Sequence, residues 1–138
     1  MIDGLGARVT GPAELEQIFR RLRADIAADD DAELEIQANA MARAMEAAAP
    51  HHEGTLATTV KVIKKAPRHY IIVAGGAATR KRVKRGRKPV YDYARADEFG
   101  TVDMAAQPFF FPTYRRKKMT LRRRINARRR ARIKALKL

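Results

Sequence analysis

Hydrophobic positions in the first third of the chain recur at helical spacing. Leu15, Ile18, Phe19, Leu22 and Ile26 lie three or four residues apart, the stripe of an amphipathic helix. Thr10-Gly11-Pro12 reads as its start, because proline at the first helical position gives up an N–H that has no partner there. Asp29-Asp30-Asp31 interrupts the stripe. Acids suit a helix N-terminus, so a second helix is expected from about Ala32 to Ala49, with Leu34, Ala38, Met41, Met45 and Ala48 inward. Pro50 ends it.

From Leu56 the period shifts to two. Leu56, Thr58, Val60 and Val62 alternate with Ala57, Thr59 and Lys61, the pattern of a half-buried strand. Pro67-Arg68 reads as a turn and His69 to Ala74 as the returning strand. Gly75-Gly76 opens a basic excursion over residues 79–88, and Val90 to Ala96 reads as a third strand. Glu98-Phe99-Gly100-Thr101 reads as a strand-end turn in which Gly100 takes positive φ after a buried Phe99. Gln107 to Phe111 is the last strand, placed at an edge because Pro108 cannot donate to a ladder. Phe109, Phe110 and Phe111 cannot all face one core, since alternate strand residues point to opposite faces. At least one is therefore a candidate for a subunit interface, the alternative being cover by a second helix. Pro112 opens a C-terminal helix with a thin seam of Leu121, Ile125, Ile133 and Leu136.

This order argues an α+β fold, with N-terminal helices packed on a small antiparallel β-sheet or sandwich. Residues 1–114 form the expected domain, and 115–138 a cationic helical arm. The arm's seam is too sparse to stabilise a lone helix, so it is expected to order on binding and to be dispensable for the core.

Charge sharpens the picture. The chain has 138 residues and a formal charge of +15. Residues 1–58 hold five Arg against eleven Asp and Glu, while residues 59–138 hold 25 Lys and Arg against four acids. Two basic clusters stand out: Arg80, Lys81, Arg82, Lys84 and Arg85 in the excursion, and Arg115, Arg116, Arg122, Arg123, Arg124, Arg128, Arg129 and Arg130 in the arm. Such asymmetry predicts a nucleic-acid face or charge-complementary contacts between copies of the chain. Arginine, which outnumbers lysine 20 to 10, grips phosphate oxygens in pairs.

Catalytic chemistry finds little support. Cys and Ser are both absent, which removes disulfides, thiolate metal sites and every Ser or Cys nucleophile. His51-His52-Glu53 has no partner histidine at helical spacing for a metal, and reads as a solvated turn. Asp29-Asp30-Asp31 lacks the spaced ligands and turn glycine of a calcium loop. Gly75-Gly76 is not followed by a phosphate-loop pattern. No catalytic residue, metal site or cofactor is expected. Met1 to Gly6 lacks the basic flank and apolar stretch of a signal peptide. The longest uncharged runs, Tyr70 to Thr79 and Met104 to Tyr114, are too short to cross a bilayer. A soluble protein made in the cytoplasm, without a membrane partner, is the expectation.

Two motif clusters add a resemblance. The first is Ala49-Pro50 followed by Gly54-Thr55-Leu56-Ala57-Thr58-Thr59-Val60. The second is Tyr93-Ala94, then Glu98-Phe99-Gly100-Thr101, then Ala106-Gln107-Pro108-Phe109 and Pro112. In this order they resemble the neck and tail-completion (head–tail joining) proteins of long-tailed bacteriophages, over about residues 12–114. Pro50, Gly54, Leu56, Glu98, Phe99, Gly100, Thr101, Gln107, Pro108 and Phe109 carry the match. The resemblance implies a structural virion protein, not an enzyme, made in the host cytoplasm. It would form a homo-oligomeric ring in the neck, between portal, adaptor or head-closure proteins and tail-terminator or tube proteins, around the packaged double-stranded DNA. The alternatives are a non-specific nucleic-acid-binding protein acting through its cationic arms, and a tail-terminator ring subunit.

Overall fold

The computed structural model describes residues 11–51, 55–84 and 87–136, with the backbone alone for 81–84 and 87–91. Its elements are α1 (Pro12–Ala48), α2 (Thr55–Thr58), β1 (Lys61–Ala66), β2 (His69–Val73), a 3-10 turn (Ala77–Thr79), β3 (Arg80–Lys84), β4 (Arg87–Asp92), α3 (Tyr93–Phe99) and α4 (Phe110–Ala135). The fold is α+β, as the patterning predicts. Its strands, however, form two separate antiparallel hairpins, β1–β2 and β3–β4, and not one sheet.

Pro12 opens α1 as expected, but α1 is a single helix of 37 residues, about 55 Å long. Asp29-Asp30-Asp31 does not divide it. Mid-helix aspartate costs only about 0.7 kcal/mol or less in propensity, and cations from elsewhere in the chain meet all three carboxylates. Ala38, Met41 and Met45 are buried as predicted, while Ala49 faces inward in place of Ala48.

Residues 55–58 form a helical turn, not the start of a strand. The Thr58 and Thr59 hydroxyls donate to the carbonyls of Thr55 and Leu56 (2.7 and 2.6 Å), closing the turn locally. The β1–β2 hairpin then forms around Pro67-Arg68 as expected, with Val62 opposite Ile72 and Ile63 opposite Ile71. Arg68 supplies the positive φ of its turn.

The basic excursion is the β3–β4 hairpin, and the third strand ends at Asp92. Asp92 stops it by capping α3. Its carboxylate accepts the Ala94 N–H (3.0 Å) and the Thr79 hydroxyl (2.6 Å), the usual role of aspartate at a helix start. The expected last strand at residues 107–111 is likewise absent, because α4 begins at Phe110.

Two adjoining cores result. Met41, Ala42, Met45 and Val60 form one, joined by Val62, Ile72 and Leu121. Ala49, Leu56, Ala94 and Phe109 form the other, and Phe110 and Ala74 touch both. The C-terminal helix is thus part of the core: it lies antiparallel along α1, contributing Phe110 and Leu121. The sequence predicts instead a separate arm that orders mainly on binding, whereas here α4 is packed against α1.

Gly100 ends α3 at φ 76° and ψ 172°, a region reached almost only by glycine. A Cβ there would lie 2.9 Å from the Ala106 nitrogen and 3.0 Å from the Met104 oxygen. Gly100→Val is expected to lower the unfolding free energy by roughly 2–3 kcal/mol, measured by urea denaturation. A wild-type midpoint would show that this turn tolerates a side chain.

Candidate functional site

Two arrangements organise the residues that the sequence singles out. The first is a joint at Glu98. This buried carboxylate accepts the backbone N–H groups of Phe109 and Phe110 on Oε2 (2.8 and 2.9 Å) and of Phe111 on Oε1 (2.9 Å). The free N–H groups of a helix start attract negative charge, so a side chain eleven residues upstream fixes where α4 begins. The Gln107 N–H donates to the Asp97 carbonyl (2.6 Å), holding the connecting loop against α3. The Thr113 hydroxyl donates to the Phe109 carbonyl (2.6 Å).

The motif residues divide around this joint. Pro50 follows the end of α1, and Leu56 and Phe109 share the second core. Thr101, Gln107 and Pro108 lie exposed on the loop. Gly54 lies outside the described residues. Phe99 is 65% exposed, not buried as expected, because it sits at the outer end of α3 and not on a strand. Its ring lies 6.0 Å from that of Phe111, which is also exposed. Of the three consecutive phenylalanines, Phe109 is buried, Phe110 half-buried and Phe111 exposed. Helical geometry, not strand alternation, separates them.

The second arrangement is an ionic seam between α1 and α4. Arg132 grips Asp29 through two bonds (2.8 and 2.9 Å). Arg129 forks onto Asp30, with Nη2 2.6 Å from Oδ2, and Arg128 Nε lies 2.8 Å from Glu33 Oε2. Gln37 holds the other Glu33 oxygen (2.8 Å). On the neighbouring face of α1, Asp31 accepts Lys64 Nζ (2.7 Å), the Arg68 N–H (2.7 Å) and the Tyr70 hydroxyl (3.1 Å), all from the β1–β2 hairpin. The acidic and basic halves therefore meet within one chain. Asp30 and Glu33 are buried, whereas their arginines are about half exposed.

The seam divides the predicted cationic contacts. Arg128 and Arg129 bind α1. Arg115, Arg116, Arg122, Arg123, Arg124 and Arg130 are exposed on α4, and Arg80 is exposed at the start of β3. The side chains of Lys81, Arg82 and Lys84 are not described, and Arg85 lies outside the described residues. Sequence reasoning missed Arg132 as a partner of the acids. The signal was present: 29 and 33, and 128 and 132, are each four apart, and 30 and 33, and 129 and 132, each three apart, so each set shares one face of its helix.

Between α1, β2 and α4 lies a groove of about 450 Å³, lined chiefly by apolar side chains including Ala38, Met41, Ile72 and Phe110. Among the described residues no group of three or more His, Asp or Glu is placed to hold a metal ion, and no helix is long and apolar enough to cross a membrane.

The seam responds to pH with a definite sign. Hydrogen bonding to Arg132 holds the Asp29 carboxyl below its ordinary range, and Lys64, then the Arg68 N–H, do the same for Asp31. Asp31 in turn raises Lys64. Both carboxylates ionise more readily folded than unfolded. Their contribution is complete above the unfolded value of about 4 and is lost as pH falls through the lower folded values. Melting temperature should therefore begin to drop below about pH 4, and Asp31→Asn should flatten that drop.

A double-mutant cycle tests the seam directly. Arg129→Gln alone should cost about 1–2 kcal/mol, since it strands a buried carboxylate beside a half-exposed partner. Adding Asp30→Asn should recover part of that loss. Strict additivity in urea denaturation would show that the pair does not couple.

No family model, curated protein or solved structure matches this chain.

Proposed function

We propose that the chain is a structural virion protein that forms a homo-oligomeric ring in the neck of a long-tailed phage. The ring would join the portal complex of the capsid to the tail around the DNA channel, with no catalytic step. Support comes from the joint at Glu98. The residues that carry the family resemblance lie in two clusters more than thirty positions apart in sequence. Yet Leu56 from the first and Phe109 from the second pack in one core, and Glu98 binds the N–H of Phe109. The second core thus brings the two motif clusters together.

The joint also leaves an apolar edge of the kind a neighbouring subunit covers. The exposed rings of Phe99 and Phe111 lie in tilted contact, and Val102 is fully exposed on the adjoining loop. Exposed aromatics at the centre of a patch are the usual anchors of protein contacts. In a ring each copy would present this edge to the next. Portal or head-closure proteins and tail-terminator or tube proteins would bind above and below.

The mass of the purified protein at physiological salt, alone and with a portal complex, tests the proposal. A discrete multiple of the 15.6 kDa subunit mass is the expected result. A monomer under both conditions overturns the ring and favours the nucleic-acid-binding alternative. Phe99→Glu with Phe111→Glu should abolish the multiple without lowering the melting temperature by more than a few degrees, because both side chains are exposed. A ring that survives this double substitution would remove the aromatic edge from the interface.

A further inference from the structure

We infer that the outward face of α4 is a contact surface for the phosphate backbone of duplex DNA, carried by Arg116, Arg123, Arg130 and Lys134. The inference depends on the neck proposal for the biological identity of the duplex, but the contact itself can be measured on the isolated chain.

Docking on α1 sorts the cations of α4 into two sets. Leu121, Ile125, Arg128 and Arg132 lie on the side that faces α1 or its ionic seam. At 100° per residue, Arg116, Arg123, Arg130 and Lys134 fall within about 40° of one another on the opposite side. All four are exposed, and among the described residues none of them pairs with a carboxylate. They form a column about 27 Å long at 1.5 Å per residue, flanked by Arg115 and Arg122 on one side and Arg124 on the other. The helix carries no acidic residue at all.

The chemistry of this column fits a phosphate backbone better than a protein. The centre of a protein interface is apolar and depleted in charge. Here the large apolar side chains beside the column are Met119 and Ile133, each about half exposed and about 21 Å apart along the helix, with Thr120, Ala127 and Ala131 between the cations, too scattered to form one apolar anchor. A duplex needs only positioned cations, and guanidinium groups match its phosphate oxygens in pairs. A straight column of about 27 Å spans roughly eight base pairs. Nothing on the face offers a shaped pocket for base edges, so binding is independent of sequence. Arg128, Arg129 and Arg132 take no part, because the carboxylates of α1 already hold them.

The test uses the full chain and labelled duplexes of about 20 base pairs, in two unrelated sequences, titrated by anisotropy between about 50 and 200 mM salt. Arg116→Gln, Arg123→Gln and Arg130→Gln are combined in one variant. A control variant removes the same charge elsewhere, through Arg20→Gln, Arg21→Gln and Arg23→Gln on α1. The wild-type protein should bind both duplexes alike. The α4 variant should bind more weakly, and its slope of log affinity against log salt should be shallower by nearly 3, about 0.9 for each lost phosphate contact. The control should keep the wild-type slope. An α4 variant with wild-type slope and affinity overturns the inference. So does competition by polyglutamate as strong as that by unlabelled duplex, which would make the face a docking site for acidic protein. The mass of the same samples reads the ring separately: a monomer with the predicted change of slope refutes the neck proposal and supports the phosphate contact.

Discussion

The Glu98 carboxylate at the start of α4 is the constraint on which the remaining geometry depends. Three backbone N–H groups converge on it, in a buried setting where such bonds are strong and poorly replaced by water. The contact does more than terminate a loop. It sets the residue at which the helix begins, and a helix whose first residue is fixed presents every later residue at a fixed angle. Leu121 then falls on the Met41 and Met45 core, and Arg128, Arg129 and Arg132 fall on the acids of α1. A shift of one residue would rotate α4 by about 100° and break both sets of contacts.

The ionic seam has a different function from the apolar core. Each pair includes an arginine that is about half exposed, so its net contribution is modest. Its larger effect is on specificity. Asp30 and Glu33 are buried and would be costly to leave uncompensated, so packings that place α4 in another register or direction are disfavoured. Long helices with thin apolar seams need such a device, because hydrophobic contact alone is indifferent to small slips. The same reasoning explains how α1 runs unbroken through three consecutive aspartates.

Local signals in the sequence located the elements whose causes are local. Pro12 marks the start of α1, alternation marks the β1–β2 hairpin, and the glycine after Phe99 marks the sharp turn. Elements whose cause is distant are not legible in the local sequence. Asp30 looked like a helix start because its partner lies 99 residues away, and Asp29 because its partner lies 103 away. Phe109-Phe110-Phe111 read as a strand because the cap that makes a helix of Phe110 onward sits on a different element. The seam read from Leu121, Ile125, Ile133 and Leu136 is thinner still in the structure, where Leu121 joins the core, Ile125 is half-buried and Ile133 is exposed. Three arginines complete the inward side of α4. Which cations bind the fold and which remain free depends on helix register, a property that composition does not contain.

Internal pairing also changes the electrical character of the folded chain. Among the described residues the exposed carboxylates Glu14, Glu16, Asp25 and Glu35 belong to α1 and Asp103 to the loop after α3, while α4 carries no acid. Within the α1–α4 pair, positive charge is therefore displaced toward α4, and the pair carries a transverse electric dipole. In the field of a polyanion such a body experiences a torque as well as an attraction. Under the proposed DNA contact it would turn its α4 side forward before touching, over distances set by the Debye length of about 8 Å at physiological ionic strength. Orientation would thus precede docking, and the encounter would need little rotational search.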